Sequence, residues 1–346
     1  MRSIFDYKLE DLEEYFESIG EKKFKARQIF EWIYKKHIYD FYEMSNISKS
    51  LSEKLNNEFS TDLLTIKTKQ TSKLTNKYLF ELDDGNLIEA VLMKHDYGMS
   101  ICVSSQVGCN MGCTFCESGR LKKVRDLTAG DMVKQIIMIQ EDINERIDSV
   151  VVMGIGEPFD NYKNVMDFVR IINSPYGIEI GARHITISTS GIIPMIEKYG
   201  DEDLQTNLAI SLHAPNNELR SKLMGVNRAY PLEDLIDAIK KYIDKTNRRV
   251  TIEYLLLKDV NDDEKCANEL ADLLKGMNVY VNLIPYNETS HTEYKTSPKE
   301  HVMKFYDILK KRKINVTIRK KFGDEIDAAC GQLRANEVNK LWNHFI

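Results

Sequence analysis

From residue 98 to residue 319 the chain alternates short β-rich runs with amphipathic helical stretches, a rhythm that restricts it to a parallel sheet or barrel. The runs are SICVSSQ (100–106), DSVVVMG (148–154), HITISTS (184–190), NLAISLH (207–213), RVTIEYLLL (249–257), YVNLIPY (280–286) and INVTIR (314–319). Helical patterns such as DMVKQIIMIQEDI and ADLLKGM lie between them, and Thr128 with Asp131 offers a capping box to the first. The polar residues fall at the carboxyl ends of the runs. Three clustered cysteines follow the first, Gly156 and Glu157 follow the second, and Ser188 and Ser190 end the third. His213 ends the fourth, Asn287 follows the sixth and Cys330 follows the seventh. Barrel and open α/β enzymes assemble their sites at these ends, so distant segments should converge on one face.

Upstream the rhythm differs. Residues 1–60 show helical spacing in LEDLEEYFESIG, FKARQIFEWIYKKHI and SKSLSEKLNNEF, which predicts a small helical accessory module. Residues 61–97 switch to alternating runs, TIKTKQ and KYLFELDDGNLIEAVLMKH, with a turn at Asp83-Asp84-Gly85-Asn86, which predicts a connecting β-hairpin segment. The remainder, 98–346, is read as the α/β core with a C-terminal extension carrying Cys330.

Nowhere do about 18 uncharged apolar residues run together, so no membrane span is expected and a cytoplasmic location is. In that reducing compartment six cysteines point to metal binding or chemistry rather than a disulfide framework. A net charge of −5 does not advertise nucleic-acid binding. The local distribution reads differently: Lys22, Lys23, Lys25 and Arg27, then Arg120, Lys122, Lys123 and Arg125, then Lys310 to Lys313 with Arg319 to Lys321. Such clusters are either solvated faces or RNA contacts.

The stretch CNMGCTFCESG packs Cys109, Cys113 and Cys116 into eight residues, one thiolate short of a closed tetrahedral site. Three soft thiolates suit an iron–sulfur cubane with one open iron, whereas structural zinc normally takes a second pair of ligands. Of the other cysteines, Cys266 sits among apolar residues at helical spacing and reads as packing, and we assign it no role. Cys102 lies on the strand face opposite Ile101 and Val103, turned toward a barrel interior. MGIGEP (153–158) is not a dinucleotide fingerprint, because Phe159 stands where the third glycine would be. Glu157 in that segment is either a helix cap or an acceptor for an ammonium group.

The three-cysteine loop after the first strand resembles the radical S-adenosylmethionine (SAM) superfamily, in which SAM itself closes the open iron. Over nearly the whole chain, SSQVGCNMGCTFC, MGIGEPFDNY, ARHITISTSGIIP, LAISLHAPNNELR, RRVTIEY, VNLIPYN and GDEIDAACGQL resemble the radical SAM rRNA adenine methyltransferases, the RlmN/Cfr family, and lie closer to its carbon-2 branch. The resemblance implies an α/β fold, a partial (βα)6-type radical SAM barrel with an N-terminal helical accessory domain that contacts RNA. It implies a 4Fe-4S cluster on Cys109, Cys113 and Cys116, and SAM contacts from Gly156, Glu157, Ser188, Ser211, His213 and Asn287.

Two SAM molecules per turnover are implied: one methylates Cys330, and a second yields a 5′-deoxyadenosyl radical that takes hydrogen from that methyl group. The resulting methylene carbon adds to adenine carbon 2, a position with no electron pair for ordinary displacement. Cys102 then resolves the adduct, closing a disulfide with Cys330 that must be reduced. Glu89, in NLIEAVLM, matches a residue proposed as proton acceptor, though it also reads as a plain strand residue. The implied substrates are 23S rRNA and tRNA, the implied electron donor is a flavodoxin or ferredoxin, and a monomer is expected. Glu117-Ser118, Lys122 and Gly225 depart from the family pattern. Two other readings stand beside this one: an RNA-binding protein whose three cysteines and Cys102 hold a structural metal, and a radical SAM enzyme acting on another substrate.

Overall fold

The computed structural model describes residues 1–289, 291–319 and 332–343. Among the described residues the dominant element is a ten-stranded sheet whose strands are adjacent in strict chain order. They are β1 (Thr65–Thr71), β2 (Thr75–Glu81), β3 (Leu87–His95), β4 (Gly98–Cys102), β5 (Ser149–Val152), β6 (Ile185–Thr189), β7 (Asn207–Ser211), β8 (Val250–Leu256), β9 (Val279–Pro285) and β10 (Val316–Ile318). Pairing is parallel from β4 to β10 and antiparallel from β1 to β4. Each of the seven β-rich runs thus holds one parallel strand. Among the described residues no pairing joins the two end strands, so the barrel is open.

The parallel strands are linked by helices: α4 (Ala129–Ile143), α5 (Tyr162–Asn173), α6 (Ile193–Tyr199), α7 (Leu232–Thr246), α8 (Glu264–Leu273) and α9 (Lys299–Lys311). Right-handed crossovers between sequential neighbours put these helices on one face of the sheet. The strand sequences obey that geometry at period two. Ile101, Ile187, Ile210, Ile252 and Leu283 are fully buried in the main core, while Cys102, Ser188, Ser211, Glu253 and Ile284 turn the other way. Burying each such aliphatic side chain is worth about 1.5–3 kcal/mol, which fixes the register, since a one-residue slip would bury the polar set instead. Thr128 caps α4 with Asp131 in a capping box.

The N-terminal sequence forms α1 (Leu9–Ser18), α2 (Phe24–Tyr34) and α3 (Lys49–Glu58), and Arg2–Ser3 pairs with Phe59–Ser60. The module is tied to the core by the ion pair of Lys8 with Asp167 at 3.0 Å and by the amide of Gly130 donating to Asp6 at 2.7 Å. No described helix is long and apolar enough to cross a membrane.

The stretch expected as a connecting hairpin differs. It contributes three strands, and these extend the parallel sheet rather than standing apart, through the β3–β4 ladder that sets Val91 opposite Cys102. Local alternation shows that strands form but carries no information on their partner, which long-range register decides. The outermost strand, TIKTKQT, carries Lys67 and Lys69 paired with Glu81 and Asp142, charges that guard an exposed edge.

Candidate active site

The carboxyl ends of the parallel strands enclose a cavity of 340 Å³, within the range of about 300–1,000 Å³ expected of small-molecule sites. Its wall gathers Cys102, Cys109, Cys113, Cys116, Gly156, Glu157, Ser188, Ser211, His213 and Asn287. Ten residues singled out in the sequence therefore meet in one place. Glu89 sits apart from that wall in a buried ion pair with Lys77, and Cys330 lies outside the described residues. Cys266 is packed in the main core.

The cysteine loop is held by backbone bonds from Cys109 N to Leu121 O (3.0 Å), Cys116 N to Cys113 O (3.2 Å) and Thr114 N to Leu223 O (3.0 Å). Gly108 adopts φ +81°, and a Cβ there would lie 2.1 Å from the Lys122 carbonyl oxygen, so only glycine permits this crossing. Burial pushes the Cys109 thiol up to about 12 and Cys113 higher still.

Glu157 is both a cap and a cavity residue. One oxygen accepts from the amide of Phe159 (3.0 Å) and the other from the amide of Ser190 (2.7 Å), bonds that oppose the upward push of burial on its carboxyl. Gly156 holds φ +113°, and an added Cβ would stand 2.6 Å from that of Gln106, which accepts from the Glu157 amide at 2.8 Å. Gly156→Ala is therefore expected to displace Glu157 and, with the fold intact, weaken at least about tenfold the binding of the SAM that the family resemblance implies here, measured by calorimetry. Unchanged affinity would remove Gly156 from the binding wall.

His213 adopts φ 58° at the end of β7 and is buried against Phe115, the rings meeting edge-on at 5.1 Å. Its Nδ1 accepts from the amide of Leu255 at 3.0 Å, which leaves the proton on Nε2. Burial, and secondarily Arg220, lower its pKa to about 3, so the ring is a neutral donor at pH 7.

Several wall residues escaped sequence reasoning. Thr75, Lys77, Val91 and Met93 come from the antiparallel strands and Glu253 from β8, while Arg319, just beyond β10, stands out in the sequence only as part of a basic cluster. Glu253 accepts from Asn282 at 2.9 Å, and its carboxyl is pushed up by burial. The inward parity of Glu253 on a strand between apolar neighbours was the available signal. Some members of the basic clusters are paired internally: Arg27 with Glu13, Lys123 with Asp126 and Asp160, and Arg125 with Asp84 and Asp131.

An open parallel barrel with a three-cysteine loop and a cavity at the carboxyl ends of its strands defines the radical SAM class. The radical SAM superfamily profile matches residues 103–274, and that of the ribosomal RNA large subunit methyltransferase N-terminal domain matches residues 3–60. The chain is 56% identical, over 98% of its length and 97% of the relative's, to the probable dual-specificity RNA methyltransferase RlmN of Enterococcus faecalis. It is 54% identical, over 98% of its length and 95% of the relative's, to the protein of the same description from Listeria monocytogenes. A radical SAM methyltransferase from Sphaerobacter thermophilus shares the fold with a TM-score of 0.91 and 41% identity, covering 97% of this chain and 100% of that one. The chain belongs to the RlmN family of radical SAM RNA methyltransferases.

That membership implies SAM and an iron–sulfur cluster, and the residues present fit them. Three thiols stand on one wall, and Ser190 Oγ, Ser118 Oγ and both carboxylate oxygens of Glu117 are buried there with no hydrogen-bond partner. Arg120 approaches Glu117 only to 3.6 Å. Unsatisfied buried polar atoms around a cavity are the mark of a wall that completes its hydrogen bonds with a ligand.

Proposed function

We propose that the protein methylates carbon 2 of an adenine in 23S rRNA and of an adenine in tRNA, through a methyl group carried on Cys330. The observation that carries this reading is the single cavity joining the Cys109, Cys113 and Cys116 loop to Cys102 and to the glycine, serine, histidine and asparagine positions expected to bind SAM. When bound, a 4Fe-4S cluster and SAM supply the radical chemistry, two SAM molecules serving each turnover.

The chain's own residues bind and orient. Cys109, Cys113 and Cys116 are the ligand set, Glu157 takes the ammonium group, and His213 offers its Nε2–H as a neutral donor. Gly156, Ser188, Ser211 and Asn287 complete the SAM wall. Cys102 faces the same space from the end of β4 and helps remove the ring proton. Its sulfur then bonds to that of Cys330 as the bond from the Cys330 sulfur to the methylene carbon breaks, that carbon keeps the electron pair and takes up a proton to become the methyl group, and the disulfide must be reduced before another turnover. Among the described residues no two cysteines are joined by a disulfide. Residues 1–60 contribute RNA contacts, a flavodoxin or ferredoxin supplies electrons, and the enzyme acts as a cytoplasmic monomer.

Mass spectrometry of two variants after expression tests this reading. Cys330→Ala should carry neither methyl group nor RNA. Cys102→Ala should retain methylated Cys330 and accumulate a covalent RNA species that nuclease reduces to a nucleotide on Cys330. A Cys102→Ala protein without any adduct, together with a Cys330→Ala protein that still methylates RNA, sinks the two-cysteine chemistry.

A further inference from the structure

Glu89 is the expected site residue that stands away from the cavity wall, and its surroundings suggest a different task. It shares the inward face of β3 with Val91 and Met93 and is 3% exposed. One carboxylate oxygen pairs with Lys77 Nζ at 3.0 Å, and Lys77 is itself only 1% exposed. The other accepts from the backbone amide of Arg334 at 2.5 Å, across 245 positions of sequence. Arg334 is the third residue of α10 (Gln332–Asn343), so its amide is one of those a helix start leaves without an internal partner. The helix begins two residues after Cys330.

The geometry points to Glu89 as a positioning residue that anchors the helix following Cys330, with Lys77 balancing its charge, rather than as an acceptor of a proton from the RNA base. A carboxylate at a helix start satisfies an orphan amide and meets the positive end of the helix dipole. Lys77, not Glu89, reaches the cavity wall. Cys330 precedes Gln332, the first residue of that helix, by two positions in the sequence, so its methylation should respond to the anchor. This inference rests on the methyl-cysteine reading above.

The test compares full-length Glu89→Ala and Glu89→Gln with the parent, reading hydrogen exchange at residues 332–337, methylation of Cys330 and any covalent RNA by mass spectrometry. Glu89→Ala should speed exchange at the Arg334 amide about tenfold and lower Cys330 methylation by a similar factor, with no adduct accumulating. Glu89→Gln keeps an oxygen for that amide while giving up the charge opposite Lys77, so it should recover more of both than Glu89→Ala without matching the parent, and it covers the case in which the alanine variant does not fold. Parental exchange and full Cys330 methylation in Glu89→Gln, combined with an RNA adduct like that of Cys102→Ala, would instead make Glu89 the proton acceptor. Unaltered exchange in Glu89→Ala would overturn the anchoring role. A parent protein lacking methyl-Cys330 would defeat the methyl-cysteine reading, while the exchange comparison still decided the anchor.

Discussion

Cys109→Ala, Cys113→Ala and Cys116→Ala will each lose bound iron and SAM cleavage together, down to background. The three thiols share one wall of the cavity, and their loop is fixed by bonds to Leu121 and Leu223 and by glycine at position 108. A cubane held at three corners has no spare protein ligand, and among the described residues the other cysteines are Cys102, at the end of β4, and Cys266, buried in the main core. Neither can stand in for a missing corner without rebuilding a strand or a helix. Because burial raises the thiols of Cys109 and Cys113, cluster assembly must expel their protons, which opposes assembly increasingly as pH falls. Iron and sulfide analysis, the electron paramagnetic signal of the reduced protein and release of 5′-deoxyadenosine measure the three consequences. A single variant that keeps a reducible cluster at parental iron content would show that the loop is not the ligand set.

Parity and position are what make the site legible in the amino-acid sequence. Cys102, Ser188 and Ser211 are inward residues of strands whose outward residues are isoleucine, and Gly156, His213 and Asn287 lie just past strand ends, so the period-two pattern and the α/β rule together locate them. Pairing across long separations is not legible. That Val91 faces Cys102, and hence that Lys77 and Met93 belong to the wall, depends on which strand β3 chooses as partner. The same limit hides Glu89, whose sequence context suggests a strand residue and whose family match implies a proton acceptor, while its partners lie on β2 and α10. One basic cluster shows the same limit: Lys123 and Arg125 stand together in sequence, and Asp126, Asp131, Asp84 and Asp160 fold onto them. Charge counts along a chain do not show which charges meet in space.

Arg220→Met should be the most destabilising single substitution in the cavity's supporting structure, although Arg220 does not line the wall. Its side chain is fully buried, with no carboxylate paired to it among the described residues. Instead the guanidinium donates to the carbonyls of Ser190 (2.6 Å), Leu212 (3.3 Å) and Ser211 (3.4 Å) and to the side chain of Asn227 (2.9 Å). It thus ties the end of β7 to the turn after β6, the two segments that present Ser211, His213 and Ser190. The cost of this burial shows in its pKa, lowered to about 10 by desolvation, with Cys113 the charge that acts in the other direction. Methionine fills similar volume but leaves those acceptors unsatisfied, so the loss should reach about 3–5 kcal/mol, or roughly 4–7 °C in the melting temperature of a chain this long. Lysine, a point charge without the fork, should recover little of it. Thermal unfolding of the apoprotein isolates the effect from cofactor binding, and an Arg220→Met protein that melts with its parent would mean that the strand ends hold their positions without this bridge.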